Sequence, residues 1–217
     1  MGQSRPSPNG KSASGCAPVS NDRLKCPKFG FTYKIPFAWV DRTRDMQGIA
    51  KPEEEARAPN AEGSTAHAGH ANEANHDTTG QRSEQSSPGT GKSETLLAIF
   101  ERPPEAPGET INSAVVFVAE SRELYPQIKT AADYFGAISD LAEQQGLKAT
   151  SDPYAFAIGA KQLVREDFSG QRGKLPIFQS TLAMIEHGEI ISFTFVGGSE
   201  DEVDELIDRL TFTTARR

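Results

Sequence analysis

The chain has 217 residues, of which 36% are hydrophobic, and a mean hydropathy of −0.52; such values leave part of its length unable to bury a core. A formal net charge of −7 and an isoelectric point near 5.2 argue against nucleic acid or an anionic membrane as the main partner, since both need a basic footprint. No apolar run approaches the roughly 18 residues of a membrane helix.

Residues 1–28 are rich in Ser, Pro, Gly, Asn and Lys and are expected to form a disordered tail. Both cysteines, Cys16 and Cys26, fall there. Their spacing permits a disulfide, but two thiols in a coil are expected to be exposed. Phe29, Phe31, Tyr33 and Ile35 then alternate with Thr32 and Lys34, which predicts a strand with one buried face, stopped by Pro36. Phe37-Ala38-Trp39-Val40 follows; its Trp reads as a plug at the core edge or as an aromatic that meets a ligand. Residues 47–93 hold almost no large apolar side chain and are expected to be a disordered insertion between two strands of one sheet. Loop closure costs grow only with the logarithm of length, so a sheet tolerates it.

Thr95–Glu101 and Ile111–Ala119 read as buried strands on either side of a stiff Arg102–Gly108 loop. Thr130 caps the next helix with Asp133 in the box position. Ala131, Tyr134, Ile138 and Leu141 are expected on its inner face, with Phe135 and Ala142 beside them and Gly146 at its end. Tyr154–Ile158 and Lys161–Phe168 form a strand pair turned at Gly159-Ala160, followed by a basic loop, Gly170–Lys174. Ile177–Ile185 pairs with Ile190–Phe195 through the turn Glu186–Glu189; Ile191, Phe193 and Phe195 share one face, Ser192 and Thr194 the other. After Gly197-Gly198, Ser199 caps a helix with Glu202 in the box position and Val203, Leu206, Ile207 and Leu210 as its apolar stripe. Glu200 and Asp201 at its start and Arg209 in its last turn suit the helix dipole.

Runs of strands joined by tight turns predict an α+β fold: a single α/β/α sandwich with a mainly antiparallel sheet of about six to seven strands flanked by helices. It would occupy residues 29–212, interrupted at 47–93, with a C-terminal tail at 213–217.

Several motifs invite a chemical reading. Pro88-Gly89-Thr90-Gly91-Lys92-Ser93 looks like a phosphate-binding loop, but Ser86 stands where that loop needs Gly. The loop also needs a strand before it and a helix after it, and neither is expected here. His67, His70 and His76 with Asp77 could be taken for a metal cluster, yet they lie in a segment without predicted structure. His187 reads as a turn residue, and no Gly-x-Ser-x-Gly nucleophile elbow occurs. Arg165 and Asp167 share a strand face with Leu163, and a cross-strand ion pair on a solvated face is expected there. No catalytic, cofactor-binding or metal-ligating residue is assigned.

Taken together, four stretches resemble the PsbP-like family. They are the opening strand Phe31-Thr32-Tyr33-Lys34-Ile35-Pro36-Phe37-Ala38-Trp39, the helix start Thr130-Ala131-Ala132-Asp133-Tyr134-Phe135, the strand series Tyr154–Ile185, and Phe193-Thr194-Phe195 with its Ser199-capped helix. The resemblance spans Phe29–Phe212 apart from the insertion. It implies an antiparallel sheet sandwiched between helices and a non-enzymatic module. Relatives of that kind include an extrinsic photosystem subunit, a nuclear-import factor that binds a small GTPase, and bacterial envelope lipoproteins. They share a scaffold and no common site, so no functional residue carries over.

The expected function is therefore a non-enzymatic accessory or protein-binding module without cofactor, whose partner is another protein. Alternatives are an envelope-associated protein binding a small ligand or lipid near Trp39 and, further off, a nucleotide-binding protein using Lys92. Met1–Gly15 has no hydrophobic segment, so a soluble chain without a signal peptide is expected. An upstream start would make it an exported or envelope protein, and would give meaning to Ala13-Ser14-Gly15-Cys16, a faint lipoprotein box.

Overall fold

The computed structural model describes residues 15–47 and 92–213. Its strands form two sheets in which every ladder is antiparallel. The smaller sheet has the order β1 (Ala17–Ser20), β2 (Arg23–Cys26), β3 (Phe31–Lys34), β12 (Leu210–Phe212). The larger runs β4 (Val40–Asp41), β5 (Ser93–Phe100), β6 (Ala114–Ser121), β11 (Glu189–Gly197), β10 (Leu175–Glu186), β9 (Lys161–Arg172). Two short strands, β7 (Leu147–Ala149) and β8 (Tyr154–Ile158), share the outer edge of β9. Three α-helices accompany them: α1 (Thr43–Met46), α2 (Phe135–Gln144) and α3 (Glu200–Ile207). The α+β antiparallel sandwich expected from the sequence is present, with α2 on one face of the large sheet and α3 on the other. The small sheet is an addition on the α3 side.

Alternation places the core. Phe117 of β6 and Phe193 and Phe195 of β11 meet Phe31 and Tyr33 of β3 between the sheets. Phe117 and Phe193 lie 4.9 Å apart, Tyr33 and Phe117 5.0 Å, and Phe31 and Phe193 5.1 Å, all edge-on, the geometry aromatic quadrupoles favour. Val203, Leu206 and Ile207 of α3 close the same core.

Gly15–Lys28 is not a tail. β1 and β2 form a hairpin, turned where Asn21 and Asp22 both take positive φ (50° and 54°). Leu24 and Cys26 point inward from β2, which pairs with β3 along Arg23–Cys26. Cys16 and Cys26 are joined in a disulfide and buried, not exposed. The strand owes its place to a tertiary partner, β3, which local polarity does not reveal. Residues 1–14 and 214–217 of the expected tails, and 48–91 of the insertion, lie outside the described residues.

Other differences are of phase and length. A 3₁₀ turn at Ala132–Tyr134 precedes α2, so the inward line becomes Phe135, Ile138, Ser139, Ala142, spaced i, i+3, i+4, i+7, with Phe135 and Ala142 buried and Ile138 and Ser139 half-buried, and Leu141 is 52% exposed. The expected loop Gly170–Lys174 is mostly strand: Arg172 pairs with Leu175 and only Gly173-Lys174 turn. An added Cβ at Gly170 would lie 2.7 Å from the Gly146 carbonyl oxygen, so β7 approaches β9 only because this residue is glycine. α3 stops at Ile207; Leu210 is buried from β12, where it pairs with Tyr33, and Arg209 precedes that strand instead of ending the helix.

The turn between β10 and β11 is as expected. His187 and Gly188 take φ of 51° and 79°, the mirror-image turn whose twist suits a two-residue hairpin. Ser199 Oγ accepts from the Glu202 amide at 3.2 Å, as a cap should, while the Glu202 carboxylate accepts from the Gly198 amide at 2.8 Å and from Ser113 Oγ. Along the part of the β5 edge that β4 leaves unpaired, Arg42 N donates to Ala98 O at 2.8 Å, Ala98 N donates to Thr43 Oγ1 at 3.0 Å, and Gln47 Nε2 donates to Thr95 O. These bonds close an edge that would otherwise offer itself to another strand.

Candidate functional site

The described residue that packing explains least is Phe37, which is 92% exposed. Burying a phenylalanine stabilises by about 1.5–3 kcal/mol, and this one forgoes nearly all of it. Its neighbours are fixed. Ile35 and Pro36 are buried, Trp39 is half-buried against the main core, and Val40 pairs with Phe100. Between them Ala38 adopts φ 64°, a left-handed conformation that costs a non-glycine residue roughly 1–2 kcal/mol. The turn thus holds an aromatic ring out in water on a backbone that is itself strained. Such strain persists only where the surroundings enforce it, and it gathers at sites of function.

A second feature is polar. Arg165 of β9 lies under α3 with its side chain only 12% exposed. Its Nε donates to Asp167 Oδ1 at 2.8 Å, and its Nη2 to Asp204 Oδ1 at 2.8 Å and to Ser180 Oγ at 3.0 Å. Its guanidinium rests 5.1 Å from the centre of the Phe156 ring. Burial works against the charge, and the bonds to Asp167 and Asp204 outweigh it, so the guanidinium titrates above its ordinary value. Tyr154 Oη donates to Asp167 Oδ2 at 2.7 Å. A cavity of about 140 Å³ beside these groups is lined by Thr150, Phe178, Glu200 and Val203 among others. The ion pair expected on a solvated face is therefore roofed by α3 and flanked by β8, because both elements fold back over β9. Its charges are mutually satisfied, which makes it a brace between β9 and α3.

On the opposite face of β9, Val164, Glu166 and Phe168 point toward α2. Glu166 is buried, 3% exposed. Burial pushes its carboxyl above the usual carboxylate range; the bond with Ser139 pulls the other way, and Asp152 and Asp167 add to the rise. Its position between two apolar same-face neighbours was the signal in the sequence that it would be buried. Nearby, Tyr125 and Tyr134 both donate to the Glu120 carboxylate. Desolvation, then those bonds, push the Tyr125 hydroxyl up to about 12 and raise Tyr134 further.

Of the motifs weighed in the sequence, Lys92 and Ser93 are described and lead straight into β5, where a phosphate-binding loop would need a helix. Pro88–Gly91 and His67, His70, His76 and Asp77 lie outside the described residues. His187 sits in its hairpin turn, exposed, beside Glu186 at 3.7 Å. Among the described residues no group of three or more His, Cys, Asp and Glu side chains is arranged to hold a metal ion. None of their helices is long and apolar enough to cross a membrane.

No protein-family model matches the chain, and no curated protein matches it. Among solved structures it is similar to a Pseudomonas aeruginosa protein of unknown function described as a putative regulator, at 14% identity and a TM-score of 0.33 over 62% of this chain and 88% of that one. It is similar to LpqN of Mycobacterium tuberculosis, described as involved in cell envelope biogenesis, at 12% identity and a TM-score of 0.32 over 60% and 88%. It is also similar to the cyanobacterial PsbP (CyanoP) of Synechocystis, at 13% identity and a TM-score of 0.43 over 96% of this chain and 98% of that one. A PsbP protein is thus among the structures this chain is similar to, as the sequence resemblance leads one to expect.

Proposed function

We propose that the protein is a non-catalytic accessory module that docks another protein through the Phe37 turn and works in an oxidising compartment. The observation that carries the docking role is the 92% exposure of Phe37 on a turn whose Ala38 is held at φ 64°. A rigid, exposed aromatic is a low-entropy anchor for an apolar pocket on a partner, and such anchors dominate interface energetics. The net charge of −7 disfavours an anionic membrane as the occupant. The disulfide between Cys16 and Cys26 supports the choice of compartment, since such bonds persist outside the reducing cytosol. A sulfur engaged in that bond is also closed to lipid attachment, so the reading is of an exported protein not anchored through Cys16.

The test is a pair of full-length proteins, native and Phe37→Ser, compared against the partners recovered by photo-crosslinking from position 37. Loss of one anchor ring should weaken binding at least tenfold, about 1.4 kcal/mol, with the melting temperature unchanged. Equal binding by both proteins, or no crosslinked protein at position 37, would overturn the docking role.

A further inference from the structure

Glu166 poses a problem of proton accounting. Buried carboxylates ordinarily face a cation or several N–H donors. Among the described residues, Glu166 has one hydrogen-bonding side chain, Ser139 of α2, whose Oγ lies 3.0 Å from Oε2 and 3.2 Å from Oε1. The same Oγ lies 2.8 Å from the carbonyl oxygen of Phe135, four residues back along the chain. A serine hydroxyl carries one proton. If it donates to Phe135, as serines within helices commonly do, an ionised Glu166 is left without a donor. If it donates to Glu166, the carbonyl loses it. With Glu166 protonated both demands are met: the carboxyl donates to Ser139 Oγ, and the serine donates to Phe135 O.

Among the described residues no positive charge offsets the ionised form. On its own strand and the adjoining β7–β8 loop the charged neighbours are Asp167 and Asp152, both acidic. Arg165 lies on the other face of β9, committed to Asp167 and Asp204. From β10 the residue opposite is Thr181, which is uncharged and shares a hydrogen bond with Thr194. α2 contributes Asp140 and Glu143, both exposed. In the turn before it, Asp133 is engaged with the Lys129 and Thr130 amides. From β8, Tyr154 gives its hydroxyl to Asp167.

We infer that Glu166 is a proton-operated latch between α2 and the large sheet: protonated, it completes a hydrogen-bond chain through Ser139 to the Phe135 carbonyl, and on losing its proton to solvent it leaves that chain one proton short and loosens the helix. The carboxyl holds its proton more tightly in the folded protein than in the unfolded chain. Its contribution is therefore fully present below the unfolded value, about 4.3, and is lost as the pH rises through the folded value. What loosens is local. α2 rests on the sheet through Phe135, Ile138 and Ala142, and lifting it would uncover a polar row, Glu166, Thr181 and Thr194, paired across three strands.

Two measurements on the full chain test this. In a carbon-detected NMR titration the Glu166 carboxyl should have its midpoint above about 4.3; a midpoint at or below that value overturns the latch without any variant. In hydrogen exchange, corrected for the intrinsic rate, protection of the α2 amides should fall as pH rises through that midpoint, by no more than tenfold per pH unit for a single proton. Glu166→Gln, which keeps a donor and cannot ionise, should remove that slope. The same slope in native protein and variant would overturn the inference.

Discussion

Tyr33 offers a sharp test of how the core is held. Its ring is 0% exposed, edge-on to Phe117 at 5.0 Å and tilted to Phe195 at 6.2 Å. Its hydroxyl is buried with no hydrogen-bond partner among the described residues. Desolvation raises the phenol far above its ordinary value, with Arg209 acting the other way. Tyr33→Phe removes that oxygen and keeps every ring contact. An unsatisfied buried hydroxyl costs about 1–3 kcal/mol, so the variant should be more stable by about 1–2 kcal/mol. For a folded body of this size each kcal/mol moves the melting temperature by roughly 2–4 °C; the expected gain is about 2–8 °C. Urea denaturation should show a higher midpoint at unchanged m-value, since the surface exposed on unfolding hardly changes. A variant less stable than the native protein would mean that the hydroxyl is satisfied in solution, and would refute the reasoning.

Two further outcomes follow from the strand pairing. Replacing Cys16 and Cys26 by Ser should cost about 3 kcal/mol, the chain entropy released by opening a loop of ten-odd residues. Thermal melts of native and double-Ser proteins, with and without reductant, would show it; a native protein indifferent to reductant would contradict the role given to this bond. Replacing residues 48–91 by about six Gly and Ser residues should leave the fold intact, because Gln47 Nε2 already reaches Thr95 O. Shortening that loop about sevenfold should stabilise by about 1.7 kcal/mol, and loss of cooperative unfolding would show instead that the segment is structural.

What the sequence displays is what alternation and turn chemistry can encode. Ile191, Phe193 and Phe195 announce a buried face, Glu186–Glu189 announces a hairpin, and Ser199 announces a helix start. β2 stays hidden because only Leu24 and Cys26 mark it and its stability comes from β3. The two positive-φ residues Asn21 and Asp22, set between short segments with Cys at both ends, were the available signal. Leu210 continues a helical stripe by spacing, yet strand pairing with Tyr33 claims it. For Phe37 no periodicity could help, since its exposure depends on the φ of Ala38. Arg165, Glu166 and Asp167 were visible as a charged run, but which face α2 or α3 would cover was settled only by tertiary packing.

The small sheet joins strands from opposite ends of the described chain: Phe31 pairs with Phe212, and Thr213 N donates to Gly30 O at 2.8 Å. Contacts so distant in sequence form late, because their loop entropy must be overcome first. A nascent chain that has not yet released Leu210–Phe212 would carry β3 with an open edge. The aromatic face of Phe117 and Phe193, which β3 and β12 cover together, would then be wet and adhesive. Synthesis and folding are in this way placed in sequence rather than in parallel, and the strand Leu210–Phe212 acts as the clasp whose closing ends the period in which the chain needs protection.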